Sequence, residues 1–123
     1  EFDRPGLAAV ALTTDTSTLT AIGNDYGFDA IFDRQVRALG RPGDGLVLIS
    51  TSGNSANLLR AAQAARDTGV ATFGLLGRDG GELLALCDDA LVVASHTTAR
   101  IQEAHLFVGH CWCSQIEQAL GLA

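Results

Sequence analysis

Six consecutive residues, Ser50-Thr51-Ser52-Gly53-Asn54-Ser55, put four hydroxyls and a glycine between an apolar run and a helical pattern. Ligands of open α/β sheets bind outside the carboxyl ends of strands, where such a loop would sit. A helix N-terminus offers unpaired backbone N–H groups and the positive end of the helix dipole, which suit an anion such as phosphate. Serine and threonine hydroxyls add donors, and Gly53 permits a left-handed turn or close backbone approach. No Gly-Lys-Ser/Thr follows and no G-x-G-x-x-G is present, which excludes a nucleoside-triphosphate P-loop and a dinucleotide fingerprint. The plainer reading is a polar loop whose Asn54 or Ser55 caps the following helix. Both readings stay open on these residues alone.

The second group lies near the end of the chain. At about 100° per residue, His110 shares a helix stripe with Glu103, Ser114 and Glu117. An imidazole there can act as acid or base near neutrality, or simply face solvent. Gln102, His105 and Gly109 share another stripe. Gln102 and His110 are eight positions apart, about 12 Å along a helix, so a shared metal ion would need further ligands from elsewhere. Cys111 and Cys113 point to different faces, and packing is the reading for both and for Cys87. Trp112 falls on the apolar side with Ile101, Ala104, Val108 and Ala119. Arg78-Asp79, within Gly77-Arg78-Asp79-Gly80-Gly81, is read as a type I′ or II turn with exposed charges; the alternative faces it to the sheet's carboxyl edge.

The elements that must position these groups follow from the pattern. Leu7–Leu12 is a continuous apolar run and predicts a strand buried on both faces. Thr16–Ile22 predicts one or two helical turns, capped by Asp15 or Thr16 and broken at Gly23-Asn24-Asp25-Tyr26-Gly27. Asp29–Leu39 predicts a helix stopped by Gly40. Leu46–Ser50 is a strand, Ala56–Thr68 a helix with Gly69 just past its end, and Val70–Leu76 a strand. Glu82–Cys87 is a short helix, Ala90–Ala94 a strand, and Thr97 or Thr98 caps a last helix reaching Leu120. This β-α-α-β-α-β-α-β-α order predicts an α/β fold with a parallel sheet and helices on both faces.

The 123 residues suffice for one domain, 1–123. With 47% hydrophobic and 18% charged residues, the chain forms a core. The formal net charge of −6 argues against nucleic acid as a partner, which needs a basic face. No apolar run approaches a membrane span. Three cysteines without a pairing pattern, and no leader pattern, point to a reducing, cytoplasmic setting. Glu1 in first position and an opening straight into Arg4-Pro5-Gly6 and a strand suggest an N-terminally incomplete domain.

Four segments together carry a family resemblance across essentially the whole chain. Ser50–Ser55 looks like the phosphate loop of sugar isomerase (SIS) domains. Thr13-Thr14-Asp15-Thr16-Ser17-Thr18-Leu19-Thr20-Ala21-Ile22-Gly23-Asn24-Asp25, Gly77-Arg78-Asp79-Gly80-Gly81 and Thr97-Thr98-Ala99-Arg100-Ile101-Gln102-Glu103 resemble the bacterial phosphoheptose isomerases. The resemblance implies a flavodoxin-like three-layer SIS domain whose first portion is missing from this chain. It implies isomerisation of sedoheptulose 7-phosphate to D-glycero-D-manno-heptose 7-phosphate, for heptose and lipopolysaccharide precursor synthesis. It implies a sugar-phosphate substrate and a homo-oligomer, a tetramer.

By the same resemblance Ser50, Thr51, Ser52 and Ser55 bind phosphate, and Asn24 and Asp25 contact the sugar. Gln102 binds substrate and, with His110, zinc; His110 is also the acid/base. The family's Gly-Asn-Gly-Gly-Ser loop, metal-binding His and catalytic Glu belong to a segment before this one. Leu76 stands where the family usually has Thr, His96 where Asp is common, and Trp112 in place of an aliphatic residue. The alternative is a non-catalytic SIS protein that senses a phosphosugar, or that binds the bacterial replication initiator as a relative of this fold does. The hydroxyl-rich loop leans against the second, because that relative carries Arg at the loop's third position.

Overall fold

The computed structural model describes residues 3–122. Helix α1 (Thr16–Tyr26) begins where Asp15 accepts a hydrogen bond from the Thr18 amide. It runs through Gly23 and stops at Gly27, whose φ of 87° an L side chain resists. A 3₁₀ turn (Phe28–Ala30) and helix α2 (Asp33–Leu39) replace the single helix expected over Asp29–Leu39. Strand β1 (Gly45–Ser50), helix α3 (Ala56–Thr68) and strand β2 (Ala71–Gly77) follow. After a 3₁₀ helix (Glu82–Leu86) come strand β3 (Asp89–Val93) and helix α4 (Thr98–Ala119).

The sheet is parallel, in the order β1-β2-β3. Gly45 pairs with Ala71 and Ser50 with Leu76; Phe73 pairs with Asp89 and Gly77 with Val93. Alternation along the strands assigns the layers. Leu46 and Leu48 of β1 and Leu76 of β2 join a core with Ala61, Ala62, Ala64 and Ala65 of α3. These alanines let the helix lie close to the sheet. Gly69, at φ 73°, ends α3 with its amide and that of Val70 bonded back to the last turn, a Schellman-type stop. The opposite face meets α4. Ile101 lies where a Gly77 side chain would be, and Trp112 lies beside Phe73 and Leu91. This is the expected three-layer α/β arrangement. Val47 and Ile49 of β1, on the α4 side, remain exposed.

Leu7–Leu12 is not a strand. Most of it is exposed, and its Leu12 carbonyl accepts from Gln35 Nε2 at 3.0 Å rather than from a neighbouring strand. An open groove of about 590 Å³ separates Leu7, Ala8 and Val10 from Leu46 at the unpaired edge of β1. An apolar run supplies strand propensity, but a ladder needs a partner at about 4.8 Å, and among the described residues none stands beside this segment. The groove includes no residue of the serine-rich loop.

Between β2 and β3, the Asp88 carboxylate accepts from the Thr72 amide at 2.7 Å and from its hydroxyl at 2.9 Å. The amide first and the hydroxyl second hold the Asp88 carboxyl below its ordinary value of 3.8. A depressed carboxyl adds stability above its unfolded pKa, and that stability is lost as pH falls through the folded value. D88N is therefore expected to lower the melting temperature at pH 7 and to flatten its decline between about pH 5 and pH 2, followed by circular dichroism.

Candidate functional site

The serine-rich loop leaves the carboxyl end of β1 and enters α3. Ser50 ends the strand, buried, and its Oγ accepts from the Gly53 amide at 3.0 Å. Ser50 Oγ and Ser55 Oγ lie 3.5 Å apart, at the limit of a hydrogen bond. Ser52 Oγ accepts from the Asn54 amide at 3.2 Å, while Asn54 Nδ2 donates to the Ser52 carbonyl at 3.0 Å. The loop is thus curled on itself, with Thr51, Ser52 and Ser55 half-buried. Four of the residues expected to bind phosphate, Ser50, Thr51, Ser52 and Ser55, stand together here.

A second loop braces the first. Asn54 Oδ1 accepts from the Glu82 amide at 3.0 Å, and the Gly53 carbonyl from the Leu83 amide at 2.9 Å. Gly53 has φ 67°, and a Cβ on it would lie 1.9 Å from the Gly80 carbonyl oxygen. A Cβ on Gly81 would lie 2.6 Å from the Ser52 carbonyl oxygen. The turn Gly77–Gly80 closes with the Gly80 amide on the Gly77 carbonyl at 2.9 Å. Arg78 takes φ 58° there. The positive φ falls on the first central residue and not the second, the II′ pattern rather than the expected I′ or II. Arg78 and Asp79 are exposed, as expected.

Ser55 holds the N-cap position of α3, yet no side chain caps the helix. Its carbonyl accepts from the Leu58 and Leu59 amides. The first turn also carries no acidic residue. An uncapped positive helix end, ringed by hydroxyls and without a competing carboxylate, is suited to an anion.

The remaining expected residues lie on other elements. Asn24 and Asp25 are exposed in the last turn of α1, where Asn24 Nδ2 donates to Asp25 Oδ1 at 2.8 Å. Gln102 and His110 are exposed on α4. Among the described residues no three His, Cys, Asp or Glu side chains converge on one point. Gln102 and His110 alone therefore do not make a zinc site, which takes three or four protein ligands.

His105, which pattern reading set on a stripe with Gln102 and Gly109 and gave no role, is the buried member of that stripe. It is 5% exposed, and its Nε2 lies 2.9 Å from the Leu76 carbonyl at the end of β2. The available signal was its place one turn after Ile101, which is fully buried.

The chain that carries this arrangement has similar proteins among known sequences and structures. A family profile described as SIS domain matches residues 1–77. The chain belongs to the SIS-domain family. The phosphoheptose isomerase of Trichlorobacter lovleyi is 57% identical over 119 residues, 97% of this chain and 61% of that protein. The phosphoheptose isomerase of Aliarcobacter butzleri is 58% identical over 118 residues, 96% of this chain and 62% of that protein. Among solved structures, a phosphoheptose isomerase from Neisseria gonorrhoeae aligns with TM-score 0.88 and 57% identity, over 90% of this chain and 62% of that one. One from Francisella tularensis aligns with TM-score 0.91 and 47% identity, over 94% of this chain and 62% of that one. This SIS chain thus spans about three fifths of the length of the relatives it matches.

The SIS loop pair makes a direct prediction. G53A must break the contact with Gly80 and adopt a strained φ, so it is expected to destabilise the fold by more than about 2 kcal/mol in urea unfolding. G109A, where a Cβ meets nothing within 4 Å, is expected to be neutral or slightly stabilising.

Proposed function

We propose that this SIS domain is the phosphate-binding and acid/base portion of a phosphoheptose isomerase. Its substrate is sedoheptulose 7-phosphate and its product D-glycero-D-manno-heptose 7-phosphate. The observation that carries this reading is identity of 57–58% to two proteins of that name over nearly the whole chain, serine loop included.

The residues divide the work by type. Ser50, Thr51, Ser52 and Ser55 and the first amides of α3 grip the phosphate, the part of the sugar that does not react. Asn24, Asp25 and Gln102 bind the sugar hydroxyls. The ketose loses a proton from C1 to give an enediol, and C2 regains one as the C1 carbonyl forms. His110 gives a proton to the carbonyl oxygen as the enediol forms and takes one back from the other hydroxyl. The carbon base is expected from the length of the relatives that this chain does not span. A further strand from that length would fit the groove at the free edge of β1. Zinc, if the enzyme uses it, would polarise the carbonyl. Gln102 and His110 would then need partner ligands from that same length.

The same reading expects the enzyme in the cytoplasm, in keeping with three cysteines that have no pairing pattern; no helix among the described residues is long and apolar enough to cross a membrane. It assembles the enzyme as a homotetramer through α4, where Leu106 and Phe107 are 66% and 70% exposed.

The test is turnover of sedoheptulose 7-phosphate by the longest natural form of the protein. H110A is expected to lower kcat by about 10²–10⁴-fold with KM nearly unchanged. S55A is expected to raise KM about tenfold or more, the loss of one hydrogen bond to a charged group. Saturable sugar-phosphate binding without turnover would replace this reading with a sensing domain.

A further inference from the structure

Helix α4 carries both Gln102 and His110, yet neither residue is anchored to the sheet; both are exposed. The anchoring falls to a different face, that of Ile101 and His105. Ile101 fills the space left by Gly77, where a side chain would also meet the Thr51 carbonyl oxygen at 2.5 Å. One turn further on, the His105 ring reaches the Leu76 carbonyl, the neighbour of Gly77. Leu76 pairs with Ser50 across the sheet. The imidazole therefore ties α4 to the strand end that abuts the phosphate loop.

The partner fixes the tautomer. A carbonyl oxygen only accepts, so Nε2 carries the hydrogen. Nδ1 is buried and has no partner among the described residues. A hydrogen there would be a buried donor without an acceptor, which costs more than an unfilled lone pair. A polar ring on the buried face of an otherwise apolar packing surface is poorly explained by burial alone, since leucine would fill the space without an unpaired nitrogen. The directional bond is what leucine lacks.

We propose that His105, as the Nε2–H tautomer, is a positioning residue: its bond to the Leu76 carbonyl fixes the height and rotation of α4, and so sets Gln102 and His110 relative to the phosphate loop. A helix is stiff over two turns, so one tie at 105 constrains residues three before and five after it. The kinetic consequence rests on the isomerase reading above; the tie itself does not.

The experiment uses the longest natural form of the protein with two variants. H105L fills the space without a donor, and H105Q presents an amide nitrogen at about the same reach as Nε2. In H105L, kcat is expected to fall about ten- to a hundredfold, as for a displacement near 1 Å, with KM within about twofold because the phosphate grip is separate. H105Q is expected to recover most of that loss. A merely structural role would lower the melting temperature while folded H105L kept wild-type kcat, and that result overturns the proposal.

Ring ¹⁵N NMR of the wild type needs no turnover. It is expected to show hydrogen on Nε2 and none on Nδ1; a hydrogen on Nδ1 instead overturns the proposal whatever the kinetics. Hydrogen exchange supplies the second arm that needs no substrate. The α4 amides from 98 to 110 should exchange faster in H105L than in H105Q, and equal rates overturn the tie. An inactive wild type that passes both arms refutes the isomerase reading and leaves the tie standing.

Discussion

Two backbone loops meet at the carboxyl ends of β1 and β2 more closely than side chains would permit. The Gly80 carbonyl occupies the place of a Cβ on Gly53, and the Ser52 carbonyl crowds the place of one on Gly81. Asn54 and the amides of Glu82 and Leu83 lock this contact with hydrogen bonds. The serine hydroxyls and the bare end of α3 are held by this meeting, so the proposed anion site rests on two crossovers and not on one loop. Positive φ at Gly53, Gly80 and Gly81 is the conformational requirement that makes it possible.

The layers around that contact are unequal. On one side the alanines of α3 close against Leu48 and Leu76, and the core is continuous. On the other, α4 covers the middle strand and leaves Val47 and Ile49 of β1 in the open. The hydroxyl loop and bare helix terminus proposed to grip phosphate sit on the well-packed side, whereas His110, proposed for proton transfer, rides on the helix of the thinner side. This division explains why α4 needs a directional bond as well as apolar packing to hold its place. It also fits a chain that spans about three fifths of its relatives' length.

What was legible in the sequence was what local chemistry decides. Leu46–Ser50, the helix Ala56–Thr68 and its stop at Gly69 follow from run length, helical spacing and a left-handed terminus, and they lie where expected. The hydroxyl loop was legible for the same reason. Leu7–Leu12 misled because an apolar run states a preference for burial, while a strand exists only beside another strand. Gly23 misled in the opposite sense: one glycine costs a helix only about 1 kcal/mol, and α1 continues to Gly27. Asn54 and Ser55 resemble caps, yet their polar atoms are engaged by Glu82 and Ser50. His105 was hidden because its importance lies in a carbonyl 29 residues earlier, a relation no periodicity encodes.

The central claim is that the loop at the end of β1 and the first turn of α3 form an anion site. It is tested most directly by titrating the ¹⁵N-labelled protein with sedoheptulose 7-phosphate, with inorganic sulfate and unphosphorylated sedoheptulose as comparisons. The account predicts saturable amide shifts concentrated at residues 51–57 for the sugar phosphate, smaller shifts at the same amides for sulfate, and none for the unphosphorylated sugar. Shifts centred on the groove beside β1, or none at residues 51–57, would contradict it.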